Sequence, residues 1–330
     1  MQNISVITGC SGMDGAVLSK QLLDKGHFVI GIDKRRSRPE IDRINLMGVL
    51  NNQNFKLLEG DITDSCFITR TIVDYKPNYY YHLASMSHVG HSFQVPEYSI
   101  EVTGKAVLYP LEAIRKFSKE TRFYFAGTSE LFGGLNCPKE GYNEDSIINP
   151  RSPYSCAKAL GLYLTRVYRM SYDLFASVGI LFNHEHTTRP VDFVTRKITH
   201  NIALIDSGKQ KKMTLGNIDA YRDWGWSPDY TLGQQLILGH SEPDDFVLAT
   251  GESYSVRDFL TKAFKVWNPN KSWEDYVDFD PRYIRPSEVP YLKGNPAKAE
   301  SILGWKREYN FDRLVEEMTN HDLALQRSIL

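Results

Sequence analysis

Cysteine is scarce in this chain. Cys10, Cys66, Cys137 and Cys156 are the only four, widely separated and without metal-ligand spacing. They offer neither a disulfide framework nor a zinc site, which suits a reducing compartment. Net charge is equally small. The 39 Lys and Arg against 40 Asp and Glu leave −1 at pH 7, so no long-range field draws the chain to nucleic acid or an anionic membrane. Long apolar runs are missing, and none approaches a membrane span. No repeat or low-complexity tract interrupts the pattern. The N-terminal QNISVITGCSG enters a strand pattern at once, with no charged leader and no apolar signal core. A soluble cytoplasmic protein is expected, without a metal.

What is present is alternation. Short apolar runs at Ile4–Thr8, Phe28–Ile32, Phe55–Glu59, Tyr79–Leu83, Phe123–Ala126 and Ala176–Leu181 read as strands. Helical patterns lie among them at Gly15–Lys25, Cys66–Tyr75, Glu97–Lys116 and Ser152–Tyr172. Nearly continuous apolar strands alternating with helices predict an α/β fold, a Rossmann-type doubly wound parallel sheet covered on both faces. After residue 182 the rhythm breaks and prolines multiply. The expectation is a dinucleotide-binding domain over 1–182, carrying the catalytic groups. A smaller mixed α/β lobe over 183–330 then binds mainly the substrate, with chain crossovers between the two.

Gly9-Cys10-Ser11-Gly12-Met13-Asp14-Gly15 follows the first strand and opens the first helix. Glycines here permit a tight turn and close backbone approach, so the helix amides face a pyrophosphate. Gly9, Gly12, Met13, Asp14 and Gly15 are therefore candidate cofactor contacts. The second strand ends in Asp33, placed for a ribose 2′-hydroxyl and so favouring NAD. Lys34, Arg35 and Arg36 follow and favour the 2′-phosphate of NADP. Asp61 and Ile62, after the third strand, fall where such folds meet adenine; Asp61 reads equally as a helix cap.

Tyr154 and Lys158 stand four residues apart at the start of a long amphipathic helix, on one face. Of the 19 tyrosines only Tyr154 has Lys at that spacing. An ammonium beside a phenol lowers the phenol pKa and can also bond a nicotinamide ribose. Phosphate loop and YxxxK together imply hydride transfer to or from a nicotinamide, with Tyr154 moving the hydroxyl proton. Upstream, GTSELFGG over residues 127–134 sets Glu130 beside two hydroxyls at the end of the strand RFYFA. A carboxylate there is costly if it merely packs.

Taken with ASMSHVGHSF, RFYFAGTSELFG, PRSPYSCAK, GILFNHE, FVTRKI, LGNIDAYRDWG, EPDDFVLATGESYSVRDF and YIRPSEV, these motifs run nearly end to end. The chain resembles the GDP-mannose 4,6-dehydratase family of the extended short-chain dehydrogenase/reductase superfamily. The resemblance implies a lyase (hydro-lyase) that turns GDP-mannose into its 4-keto-6-deoxy sugar. Tyr154 takes the carbon-4 hydroxyl proton, Glu130 removes the carbon-5 proton, and water leaves from carbon 6. Thr128 contacts the carbon-4 oxygen, and Lys158 supports tyrosine and cofactor.

By the same resemblance, Leu83, Ala84, Ser85, Tyr98, His184 and Arg189 contact the cofactor. Ser87, Asn183, Lys197, Arg222, Arg285 and Glu288 contact the GDP-sugar. Trp224 and Trp226 could stack on a base, but core or rim packing is favoured. The run Asn183-His184-Glu185-His186 holds too few ligands for a dedicated metal site. Three departures from the family pattern stand out: the turn at Asp33 and Lys34 is one residue longer, only Arg189 remains of two arginines after Asn-His-Glu, and the segment before Arg285-Pro286 is shorter. NADP is the expected cofactor, NAD the alternative because of Asp33. A homodimer or homotetramer is expected, since helices 97–116 and 152–172 carry more apolar positions than one sheet face absorbs. The alternatives are a nucleotide-sugar 4-epimerase or 4-ketoreductase, and a non-catalytic dinucleotide-binding module.

Overall fold

The six apolar runs pair as parallel neighbours in one sheet. The computed structural model describes residues 2–34, 43–283 and 287–328. Its sheet strands are β1 (Ile4–Thr8), β2 (Phe28–Asp33), β3 (Phe55–Glu59), β4 (Tyr79–His82), β5 (Arg122–Ala126), β6 (Ala176–Leu181) and β7 (Asp245–Leu248). Their spatial order is 7-6-5-4-1-2-3, every pair parallel. The order reverses between β1 and β4, which opens a crevice at the carboxyl ends of those strands.

Helices α1 (Met13–Asp24), α2 (Arg43–Leu46), α3 (Ser65–Tyr75), α4 (Leu108–Phe117) and α5 (Pro153–Tyr172) belong to the first half. The second half supplies α6 (Val194–Asp206), α7 (Ser227–Gly239), α8 (Val256–Trp267) and α9 (Phe311–Arg327). Successive strand residues face opposite sides of the sheet. Val6, Tyr80 and Phe123 pack with Ile68, Ile72, Leu111, Ile114 and Leu162 from α3, α4 and α5. Ile7, Tyr81 and Tyr124 pack with Leu18, Leu22, Ile237 and Leu238 from α1 and α7. The chain leaves the sheet after Leu181 and returns with α7 and the edge strand β7. That return is the one strand the apolar pattern does not mark. It is only four residues long and follows an acidic, Pro-containing stretch.

Between α6, α8 and α9 lies a third core around Ile198, Ile202, Phe259, Phe264 and Leu314. Trp224 stacks on Phe311 at 6.1 Å and Trp226 on Tyr309 at 4.6 Å. Both indoles thus serve packing. Among the described residues no helix is long and apolar enough to cross a membrane.

The helix expected over 97–116 is interrupted. Pro96–Ser99 and α4 are joined by a wide π-helical turn at Ile100–Gly104 and a tight 3₁₀ turn at Lys105–Val107. The reason is tertiary. A Cβ on Gly104 would sit 3.0 Å from the Ala157 carbonyl of α5, so the segment bends where it meets that helix. α5 itself starts sharply. Ser152 and Ser155 cap each other's backbone N–H groups, and Pro153 occupies the first turn.

One buried ion pair ties α6 to α9 beside this third core. Arg196 of α6 donates from Nε to both carboxylate oxygens of Asp322 in α9, at 2.8 and 2.7 Å. The Thr199 hydroxyl adds a third bond at 2.6 Å. Asp322→Ala leaves the Arg196 guanidinium buried without its acid and should destabilise the fold by about 3–5 kcal/mol in urea unfolding; a loss below about 1 kcal/mol would make the pair energetically idle.

Candidate active site

The glycine loop is built on close backbone contact. Gly9 N–H donates to Ile32 O at 2.8 Å, and Gly12 N–H donates to Gly9 O at 2.9 Å. A Cβ on Gly15 would lie 2.1 Å from Gly9 O, so no side chain fits there. Gly12 caps α1 without a side-chain bond, and Gly12, Met13, Asp14 and Gly15 line the crevice, where the first-turn N–H groups have no partner within the helix itself. This cradle fits a dinucleotide pyrophosphate.

Asp14 and His184 are coupled beneath the loop. His184 Nε2 meets Asp14 Oδ2 at 2.6 Å, its Nδ1 meets Phe182 O at 2.7 Å, and Ser227 donates to Asp14 Oδ1 at 2.7 Å. Burial works against both charges. The attraction between them nevertheless leaves Asp14 below and His184 above its ordinary pKa. Both ring nitrogens of His184 are thus engaged inside the protein. Across the crevice the Arg189 guanidinium lies over the Phe193 ring at 3.7 Å and reaches Glu185 at 3.2 Å. Its Nη1 is 4.0 Å from the Met13 sulfur.

At the adenosine end, Asp33 Oδ2 accepts from Ser11 N–H and Oδ1 from Lys34 N–H, both at 2.8 Å. The Lys34 ammonium joins Asp61 at 2.9 Å and the Tyr98 hydroxyl at 3.0 Å. Asp61 does not line the crevice. Its other oxygen accepts from the Thr63 amide at 2.9 Å and the Thr63 hydroxyl at 2.8 Å, closing a local turn, while Asp64 caps α3. Ile62, Leu83, Ala84, Ser85 and Tyr98 do line it. Arg35, Arg36 and Arg285 lie outside the described residues.

Thr128, Glu130, Tyr154 and Lys158 meet at the carboxyl end of β5. The Thr128 hydroxyl accepts from Glu130 N–H at 3.3 Å, capping the single turn Ser129–Phe132. Glu130 is 8% exposed. Lys158 Nζ donates to Ala126 O at 2.7 Å and lies 5.9 Å from the Tyr154 ring centre. Burial pulls the Lys158 ammonium down to about 7. Burial pushes the Tyr154 phenol up to about 12; the Glu130 carboxylate adds to the rise, and Thr128 and Arg189 oppose it. The lowering expected from Lys158 is not found; burial dominates the phenol.

The glycine loop and the Thr128–Lys158 group open on one cleft of about 1470 Å³, whose wall also includes Ser87 after β4 and Asn183, Lys197, Arg222 and Glu288 from the second half of the chain. Arg222 is held by the Val289 carbonyl at 2.8 Å. Two nucleotide-sized ligands can lie end to end in such a space.

A family model for GDP-mannose 4,6 dehydratase matches residues 6–318. The chain belongs to the GDP-mannose 4,6-dehydratase family. GDP-mannose 4,6 dehydratase 1 of Arabidopsis thaliana is 40% identical over 334 residues, covering 99% of this chain and 91% of the relative. Among solved structures, dTDP-glucose 4,6-dehydratase of Streptomyces venezuelae with NAD and TYD bound superposes with a TM-score of 0.84 at 20% identity, covering 96% of each chain. RMD from Pseudomonas aeruginosa complexed with NADPH gives 0.78 at 20% identity, covering 98% and 100%. At these identities the structural likeness is one of fold.

Among further residues that line the cleft are Ser129, whose role the sequence leaves open, and Arg43, which sequence reasoning passed over. Ser129 is adjacent to the acid and legible as a neighbour. Arg43 carries no local signal, because only the fold brings α2 against the glycine loop.

The low Lys158 pKa has a sign that can be checked. Between about 7 and 10.5 the folded protein binds fewer protons than the unfolded chain, so this group makes stability rise with pH across that window. Replacement by Met should remove a slope of up to about 1.4 kcal/mol per pH unit from the unliganded protein; parallel wild-type and Lys158→Met stability curves between pH 7.5 and 10 would refute it.

Proposed function

We propose that this chain converts GDP-mannose to GDP-4-keto-6-deoxy-D-mannose, a hydro-lyase reaction that uses a nicotinamide dinucleotide. The observation that carries it is Glu130, a buried acid in the same pocket as Thr128, Tyr154 and Lys158. Simple oxidation or reduction at carbon 4 needs no second base there. Family membership, relatives near 40% identity and the first turn of α1 on the crevice support the reading.

When bound, the dinucleotide supplies a nicotinamide that takes the carbon-4 hydride and returns it at carbon 6. Tyr154 accepts the carbon-4 hydroxyl proton, and Thr128 orients that oxygen. Lys158, which changes charge near neutral pH, offers positive charge that makes the phenolate cheaper to form. The carbon-4 ketone acidifies the carbon-5 proton; Glu130 removes it and passes it to the carbon-6 hydroxyl, which leaves as water, and the proton held by Tyr154 goes to carbon 5 as the hydride returns at carbon 6. The first domain and its glycine loop hold the dinucleotide, with NADP preferred through the basic run Lys34, Arg35 and Arg36. Lys197, Arg222, Arg285 and Glu288 in the second lobe hold the GDP moiety, where arginine forks suit a diphosphate. The scarcity of cysteine and the thiol form at all four positions fit work in the cytoplasm.

Incubation with GDP-mannose alone should yield the 4-keto-6-deoxy sugar without added reductant. Glu130→Gln should lower turnover by roughly 100-fold or more, the scale of a lost general base, and stop solvent exchange at carbon 5 while sugar binding persists. Near-normal turnover in that variant would remove the acid from the reaction. A 4-epimer as the product would replace the dehydratase reading.

Assembly follows from α5. Leu160, Tyr163, Val167 and Met170 are exposed on one stripe of it, Met170 at 74%. Such a stripe suits pairing of two copies across a two-fold axis, giving a homodimer or, by pairing of dimers, a homotetramer. Light scattering should report at least a dimer, and Met170→Lys with Val167→Lys should shift the mass toward one chain; a wild-type monomer at all concentrations contradicts the assignment.

A further inference from the structure

The acid beside Arg222 has no solvent contact. Four hydrogen-bond donors, rather than a cation among the described residues, meet the Asp223 carboxylate. Oδ1 accepts from the Thr250 amide and the Thr250 hydroxyl, both at 2.7 Å. Oδ2 accepts from Gly251 N–H at 3.0 Å and Gly294 N–H at 3.1 Å. These bonds favour the carboxylate, yet burial outweighs them and pushes the carboxyl up to about 6. A buried acid without a cation costs stability that an apolar side chain would not. Its place calls for a geometric reason.

Two glycines bring backbone to this acid. Gly251 has a φ of +78°, a left-handed conformation that favours glycine. A Cβ on Gly294 would lie 2.3 Å from the Ala249 Cβ and 2.7 Å from the Phe182 ring. The Gly294 backbone therefore rests directly on the residues that follow β6 and β7. The segment before it runs along the short strand Tyr221–Arg222. Tyr221 N–H donates to Pro290 O at 2.9 Å, and Leu292 N–H donates to Tyr221 O at 3.2 Å. Arg222 Nη1 donates to Val289 O at 2.8 Å. Val289 follows Glu288, which lines the cleft with Arg222. One carboxylate thus locks the strand, the turn after β7 and the segment that grips the arginine.

We propose that Asp223 is a positioning residue for the nucleotide-sugar: it pins segment 288–294 against strand Tyr221–Arg222 and so aims Arg222 at the ligand's diphosphate. The assignment rests on the GDP-sugar reading given above. The acid acts through Arg222, so ligand affinity answers to it, and proton transfer at Tyr154 and Glu130 does not.

Calorimetric titration of the full chain with GDP, beside steady-state turnover of GDP-mannose, tests it. Asp223→Asn keeps the size and one carbonyl oxygen but turns an amide N–H₂ toward N–H donors. It should weaken GDP by roughly 10-fold, the scale of one or two lost hydrogen bonds. KM for GDP-mannose should rise by the same factor while kcat stays within about two-fold, and affinity for NADPH should not move. Thr250→Val removes only the hydroxyl bond and should weaken GDP in the same direction by about 3-fold. GDP bound at wild-type strength by Asp223→Asn, or by Thr250→Val where the first variant does not fold, overturns the proposal. A joint fall of kcat, GDP affinity and NADPH affinity overturns it too, since that marks the acid as general scaffolding. A wild type that binds NADPH but no GDP would remove the GDP-sugar reading and the proposal with it, whereas GDP binding by the wild type leaves that reading standing whatever the variants show.

Discussion

The Lys158 ammonium donates to the carbonyl of Ala126 at 2.7 Å from a position with almost no solvent contact, and the geometry of the site hangs on that bond. Ala126 is the last residue of β5, and Thr128 and Glu130 follow within four positions. Lys158 lies one helical turn beyond Tyr154 on α5. The bond therefore sets the distance between the strand end that carries a hydroxyl and an acid and the helix start that carries the phenol. A buried ammonium with a single carbonyl partner is destabilising, and its fall to about 7 expresses that cost. Phe123, Phe125, Leu162 and their neighbours in the sheet core lie directly behind it. Hydrophobic burial on that face is large enough to hold a charged group where solvent would otherwise take it.

A second constraint concerns sign. An anion site at a helix N-terminus works because the first N–H groups are unsatisfied. An acid in that same first turn helps the helix but repels a diphosphate. Asp14 is such an acid. His184 meets it at 2.6 Å, a contact that favours the charged form of each against burial, and Ser227 at the start of α7 takes the other carboxylate oxygen. One pair thus joins the glycine loop, the strand exit at 183–185 and α7. The histidine acts through the loop, since neither ring nitrogen is left to face the cleft.

Features that depend on neighbours in the chain were legible in the sequence. The glycine spacing, the Tyr–Lys interval and the apolar strands are local patterns, and each has a local physical cause. Features that depend on contacts between distant segments were not. The break in helix 97–116 is set by the meeting of Gly104 with Ala157, invisible in a pattern that reads as continuous helix. β7, no shorter than β4, follows an acidic stretch outside the strand–helix alternation, and it is a strand because it pairs with the edge of β6. Asp61 sits at the right distance from β3 for adenine, yet Thr63 and Lys34 satisfy its oxygens first. Guanine and mannose rest on family membership, because spacing alone reaches only a nicotinamide enzyme for a diphosphate-linked sugar.

The segment 187–190 shows how the second lobe reaches the cofactor side. Arg43 holds the Thr188 carbonyl from the glycine-loop side, and Arg196 holds the carbonyls of Thr187 and Arg189 from the other. Arg196 is in turn fixed by Asp322 of α9. A chain of charge-assisted bonds therefore runs from the C-terminal helix through this segment to Ser11, with the Arg189 side chain projecting from its middle toward the first turn of α1. In the proposed reaction one dinucleotide takes a hydride and gives it back to the same sugar, so release between the two steps would abort turnover. Retention is then worth more than exchange. Backbone carbonyls gripped by buried guanidiniums provide it, because loosening them means leaving a charge unpaired in the interior.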